Sequence, residues 1–177
     1  MLKKKIIDYK KNFIDEIKNS NAILTAGDKT NGVNGMTVSW GGIGELWGLD
    51  VIFVFVRKSR YTHEFIEKSD SVTLSFLNDE YKNAKLLFGN KSGRDINKPL
   101  EAGVHLTYDP DYNGYYLKEA SYVFKTKKLY SIDIPYDKLP DNIKDRYYSN
   151  NDMHTMYICE IKQFLVNEEW EKIYFLI

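Results

Sequence analysis

Arg57, Ser59, Arg60, Tyr61 and Thr62 follow an apolar run and stand where a helical pattern begins. Guanidinium and hydroxyl groups at that spacing are donors for an anion. Arginine pairs with phosphate through a planar fork, and the first N–H groups of a helix add directional donors. The same residues also describe a capped helix with surface arginines. A second set, Asn34, Thr37, Ser39 and Trp40, lies among glycines and offers an amide, hydroxyls and an indole. Glycine lets a flat ligand approach the backbone closely, although a loop running into a strand has this pattern too. A third set, Ser92, Gly93, Arg94 and Asp95 followed by Lys98, reads either as a second anion-facing loop or as a helix start capped by Asp95.

Other chemistries find less support. Gly41-Gly42-Ile43-Gly44 lacks the third glycine of a dinucleotide fingerprint and sits in a β context, which fits a bulged strand turn. His63, His105 and His154 have no metal-type spacing and no paired cysteines, so no metal site is expected. No serine stands in a nucleophile elbow. Cys159, the single cysteine, lies in an apolar alternation and reads as a buried, inert thiol.

The elements that must hold these groups follow from periodicity. Apolar positions Ile6, Ile7, Phe13, Ile14 and Ile17 predict an amphipathic N-terminal helix over about 3–18. Residues 22–25 predict a short strand. Over 36–40 apolar and hydroxyl residues alternate, a strand with a polar face. Residues 49–56 are mostly apolar and β-branched or aromatic, which predicts a strand buried on both faces. Ser59 is the expected N-cap of a helix over 60–68. A strand over 72–77 and a helix over 79–88 stopped by Gly89 follow, then a polar loop and a short turn over 99–102 stopped by Gly103. From 104 the pattern is β: 104–108, 115–117, 120–132 and 155–166, with a last strand expected over 172–177. Residues 135–152 read as a polar connection. Many short strands without βαβ alternation predict a mainly β barrel or sandwich.

The bulk numbers agree. The 177 residues are 43% hydrophobic, enough for a single domain over 1–177 with a sizeable core. Lys+Arg and Asp+Glu are both 25, so no basic excess marks a nucleic-acid surface. No apolar run approaches a membrane span or an export signal, so the expectation is no membrane association and a cytoplasmic protein. The 14 tyrosines suit β-structure and stacking against a flat ligand.

Four segments are then taken together: Asn34-Gly35-Met36-Thr37-Val38-Ser39-Trp40-Gly41; Phe55-Val56-Arg57-Lys58-Ser59-Arg60-Tyr61-Thr62; Lys91-Ser92-Gly93-Arg94-Asp95; and Met153-His154 with Met156-Tyr157-Ile158-Cys159-Glu160-Ile161. In order and spacing they resemble the flavin reductase-like, FMN-binding split-barrel family, in its flavoredoxin-like branch. The resemblance spans roughly residues 20 to 166. It implies a six-stranded split β-barrel with surrounding helices, and a homodimer with FMN near its interface. By resemblance, Asn34, Thr37, Ser39 and Trp40 line the isoalloxazine, and Arg57, Ser59, Arg60, Tyr61 and Thr62 hold the phosphate and ribityl chain. Ser92, Arg94 and Lys98 reach the flavin or its phosphate, and His154 sits near the ring. It also implies an oxidoreductase in which the flavin itself is the reactive group, so no side chain is assigned a catalytic role. NADH, NADPH or a protein donor would supply electrons to flavin, ferric iron or a redox partner protein. The alternative is an electron-transfer module without NAD(P)H turnover of its own. Two positions depart from the family: Lys58 stands where relatives often carry Pro, and Phe88 where they often carry Cys, so any redox role of that cysteine is absent.

Overall fold

The computed structural model of the chain describes residues 1–174. In chain order the elements are β1 (Leu2–Lys4), α1 (Phe13–Asp15, continued by a π-helical turn over Glu16–Ser20), β2 (Ala22–Asp28), β3 (Gly32–Val38), β4 (Gly41–Leu46), β5 (Leu49–Arg57), α2 (Tyr61–Lys68), β6 (Ser71–Phe76), α3 (Lys82–Asn90) and α4 (Lys98–Ala102). They continue with β7 (Leu106–Asp109), β8 (Gly114–Leu117), β9 (Tyr122–Asp133), α5 (Asp141–Tyr147), β10 (His154–Val166) and α6 (Glu168–Tyr174).

The main sheet is antiparallel, in the order β3-β2-β6-β9-β10-β5-β4, with β1 added beside β10. The run from β3 to β5 supplies the six strands of the expected barrel. β4 and β1 extend it, so the sheet has eight strands. β3 comes against β5, yet among the described residues no hydrogen-bonded register joins them. The barrel is split at that seam. β7 and β8 form a separate hairpin.

The strands alternate as a curved sheet requires. On β5, Ile52, Val54 and Val56 point into the core, while Phe53 and Phe55 are half-buried on the other face. The strand is therefore not buried on both faces: its outer face lies beside the seam. β2 is buried along its whole length because Leu24 enters the barrel core and Ile23 packs outward with Phe88 of α3. Cys159 is buried in the core, and burial pushes its thiol up to about 12.

Several local expectations change. The N-terminal helix over 3–18 is absent as such. β10 recruits residues 2–4 as an edge strand, with Leu2 opposite Val166. After a single 3-10 turn over Ile6–Asp8, an α-helix begins only at Phe13, where the Asn12 side chain accepts from the amides of Ile14 and Asp15. Phe13 and Ile17 are buried, whereas Ile7 and Ile14 are 73% and 71% exposed, so the apolar pattern did not mark one face. Gly89 lies inside α3 instead of stopping it, and Asn97 caps α4 in place of Asp95 by accepting from Leu100 N. The connection over 135–152 contains α5, entered through Pro140 with Lys144 and Arg146 in its last turn. The strand expected over 172–177 is replaced by α6 as far as Tyr174, and its last three positions lie outside the described residues.

Candidate functional site

Where β3 and β5 fail to pair, a cleft of about 400 Å³ opens. β3 and the residues after it supply Thr37, Ser39 and Trp40; the end of β5 and the turn after it supply Arg57, Ser59 and Arg60; β10 and its lead-in supply His154 and Asp152. Met36, Val38 and Phe55 complete the walls. Seven of the expected site residues are thus brought together from three separate stretches of sequence.

Arg57 is the last residue of β5, and His154 is its cross-strand partner at the start of β10. The Arg57 guanidinium donates to the carbonyls of Tyr147 (2.9 Å) and Asp152. It thereby fastens the 147–153 segment over one end of the cleft. The Lys58 amide donates to Met153 O at 3.1 Å and fastens the same segment from the backbone. Ser59 does not cap α2. Arg60 takes the N-cap position without a side-chain cap, while the Ser59 hydroxyl donates to Asp152 Oδ2 at 2.6 Å and the Ser59 amide to Oδ1 at 3.3 Å.

Arg60 reaches across to donate to the carbonyl of Gly89 in α3. Burial lowers its pKa, Asp152 opposes that and Arg57 adds to it. Behind them, Lys98 is buried and donates to Gly35 O (2.9 Å) and Phe88 O (3.0 Å); burial, then Arg60, brings its pKa down to about 8. Arg57 and Arg60 are two cations beside one cleft-lining carboxylate, Asp152, with Lys98 behind Arg60. That local excess of positive charge favours an anionic ligand.

At the other wall, the Trp40 ring lies 4.8 Å from the His154 ring and 5.1 Å from Tyr147, and the indole is 37% exposed. Tyr148 Oη and His154 Nδ1 are 2.9 Å apart. Burial and the Arg57 charge bring the His154 pKa down to about 4, so the imidazole is neutral at pH 7. The Thr37 hydroxyl donates to Lys85 O and so ties β3 to α3.

The remaining expected residues lie elsewhere. Thr62 is buried and its hydroxyl accepts from Asn34 Nδ2 at 2.8 Å, a tie between α2 and β3 with no access to the cleft. Gly93 packs on the same asparagine: a Cβ there would stand 2.1 Å from Asn34 Oδ1, so the loop needs glycine to lie this close. Arg94 stacks 4.5 Å over the Tyr61 ring and pairs with Glu64 on the outer shoulder of α2. Ser92 Oγ accepts from the Arg94 amide within its own loop. Asn34, Arg94 and Lys98 border a neighbouring depression of about 500 Å³ instead of the cleft. Sequence reasoning missed Asp152. Its signal was an acid just before a strand that carries His154, in a chain whose Arg57 needs a counter-charge. Among the described residues no three His, Cys, Asp or Glu side chains are grouped as metal ligands.

The cleft fits FMN in kind: guanidinium and hydroxyl donors at the α2 end suit a phosphate, and an accessible indole with Ser39 suits a flat, polar-edged ring. Comparisons with known proteins bear on the same question. The family profile described as "Flavin reductase like domain" matches residues 14–175. No curated protein matches the chain by sequence. Among solved structures, flavoredoxin of Desulfovibrio vulgaris (Miyazaki F) superposes with a TM-score of 0.67 at 21% identity, covering 84% of this chain and 70% of that one. The FMN-binding domain of a flavin reductases-like enzyme from Shewanella baltica OS155 gives 0.65 at 18%, covering 92% and 75%. The styrene monooxygenase flavin reductase of Pseudomonas putida S12 gives 0.61 at 19%, covering 84% and 80%. At these identities the likeness is one of fold.

Proposed function

The chain belongs to the flavin reductase-like domain family, and from that premise we propose that it is an FMN-binding oxidoreductase passing electrons from NADH, NADPH or a protein donor to free flavin, ferric iron or a partner protein. The observation that carries this reading is the cleft at the β3–β5 seam, cationic at one end and aromatic at the other. Bound FMN would supply the hydride and electron chemistry, which leaves the protein to bind, orient and tune it.

Arg57, Ser59 and Arg60 would hold the phosphate, and Thr37, Ser39 and Trp40 would lie along the ring. His154, kept neutral by burial, offers an uncharged imidazole edge near Trp40. Thr62, Asn34 and Lys98 would act one step back by fixing α2, β3 and α3 around the cleft. Tyr61, Ser92 and Arg94 would contribute from the shoulder of α2.

A homodimer belongs to the same reading. Phe55, Met156 and Ile132 are cross-strand neighbours on the outer face of β5, β10 and β9, and Tyr130 extends the row. Tyr130 and Ile132 are 49% and 46% exposed, and Phe55 also lines the cleft. A second copy seated there would cover the cleft's edge and bury an apolar row.

Titration with FMN is the test. Quenching of flavin fluorescence at a one-to-one ratio is expected; protein that cannot be reconstituted with FMN would sink the proposal. The second reading is a carrier without nicotinamide turnover, favoured because the same exposed apolar row could receive a protein donor. Anaerobic mixing of the holoprotein with NADH and NADPH separates the two: bleaching of the flavin supports a reductase, and an unchanged spectrum supports the carrier.

A further inference from the structure

Asp152 occupies the donors that a phosphate would need. Its carboxylate takes the Ser59 hydroxyl (2.6 Å) and the Ser59 amide (3.3 Å) and lies 3.9 Å from the Arg57 guanidinium. A hydroxyl, a backbone N–H and a guanidinium converging ahead of α2 are the set that recognises a phosphate oxygen. The main chain of Asp152 is pinned. Its amide donates to Asn150 Oδ1 at 3.2 Å, its carbonyl accepts from Arg57, and Asn151 before it holds a left-handed φ of 58°. The carboxylate lines the cleft.

We propose that Asp152 is an internal competitor for the flavin phosphate, so that the site discriminates only weakly between FMN and riboflavin. This rests on the FMN reading above. A phosphate arriving at Ser59 must displace the carboxylate from two hydrogen bonds. The displaced group then remains beside a dianion of like charge in a partly desolvated cleft. Riboflavin has no phosphate and meets neither penalty.

The test compares FMN and riboflavin affinities, read by fluorescence quenching, for the wild-type chain and for Asp152→Asn. The substitution keeps the shape and an oxygen that can accept from Ser59, but removes the charge. FMN is expected to bind about tenfold or more tightly in the variant, the equivalent of one strengthened charge-assisted hydrogen bond, while riboflavin changes by no more than about twofold. Unchanged or weakened FMN binding would overturn the proposal and make Asp152 a structural post for Ser59 and Arg57. Should the variant not fold, the wild-type ratio decides. FMN favoured over riboflavin by about tenfold or less supports competition, and a larger preference overturns it. Wild-type protein that binds neither flavin would overturn the FMN reading and this inference with it, a result distinct from FMN binding that Asp152 does not oppose.

Discussion

Around Phe124 the barrel interior is filled by rings. Phe164 stacks on it at 5.0 Å, Tyr9 meets it edge-on at 5.2 Å, and Phe76 stacks on Tyr122 at 4.7 Å. At the β3–β5 seam, Arg57, Arg60, Ser59 and Asp152 stand where strand pairing would otherwise close the barrel. Both regions sit between strands of one sheet. In the first, burial of apolar surface is the main interaction, and polar contacts such as the Tyr122 hydroxyl donating to Glu16 sit at its margin. In the second, cations hold carbonyls and a single carboxylate, an arrangement whose charge balance a ligand can complete. Stability belongs to the ring-filled region, and on the proposed reading binding belongs to the seam.

That contrast can be broken by experiment. Phe124→Ala should cost about 3–5 kcal/mol in urea unfolding, with FMN affinity of the remaining folded protein unchanged within about twofold. A loss under about 1 kcal/mol would show that the rings are not the stabilising core. Arg60→Ala should act on the other region: FMN weakens by about 2 kcal/mol, roughly thirtyfold, and riboflavin by clearly less. Equal losses for both flavins would remove the phosphate from this end of the cleft.

His154 makes the seam side sensitive to pH. Burial and then Arg57 hold its pKa at about 4, below the ordinary value of 6.5. Between those values the unfolded chain binds more protons than the folded one, so stability is fully present above about pH 6.5 and falls as pH drops toward 4. From pH 7 to pH 5 the loss should reach about 2 kcal/mol, and His154→Gln should flatten that slope in urea titrations at the two pH values. An equally steep slope in the variant would place the acid sensitivity elsewhere. The smallest effect is expected for Arg94→Ala. Its pair with Glu64 is half exposed, so unfolding free energy should change by less than about 1 kcal/mol. FMN affinity should fall no more than about threefold, because Arg94 stands outside the cleft. A loss as large as that of Arg60→Ala would move the site onto the shoulder of α2.

Much of the fold was legible wherever a segment's local preference and its tertiary role agreed. The strands at 49–57, 122–133 and 154–166 are rich in β-branched and aromatic residues and appear within a residue or two of their expected bounds. Gly103, with φ of 66°, ends α4 as expected. The misread segments are those whose neighbours decide. Residues 2–4 are a strand because β10 offers an unpaired edge, and Phe13 with Ile17 is helical while Ile7 beside them is left in solvent.

The candidate site divides in the same way. Arg57, Ser59, Arg60 and Trp40 could be named from the sequence because guanidinium, hydroxyl and indole groups carry their chemistry in the residue type. Their counterpart Asp152 could not, because its role comes from a contact 93 residues away in the chain, with Ser59. Nor could the sequence separate Thr62, turned inward to Asn34, from Ser59, turned toward the cleft. The sequence by itself determined the inventory of donors and the strands that carry them, since both follow from side-chain chemistry and periodicity. Only the tertiary structure decided which donors face the seam and which already hold a partner, because burial and charge pairing act between groups that the chain keeps far apart.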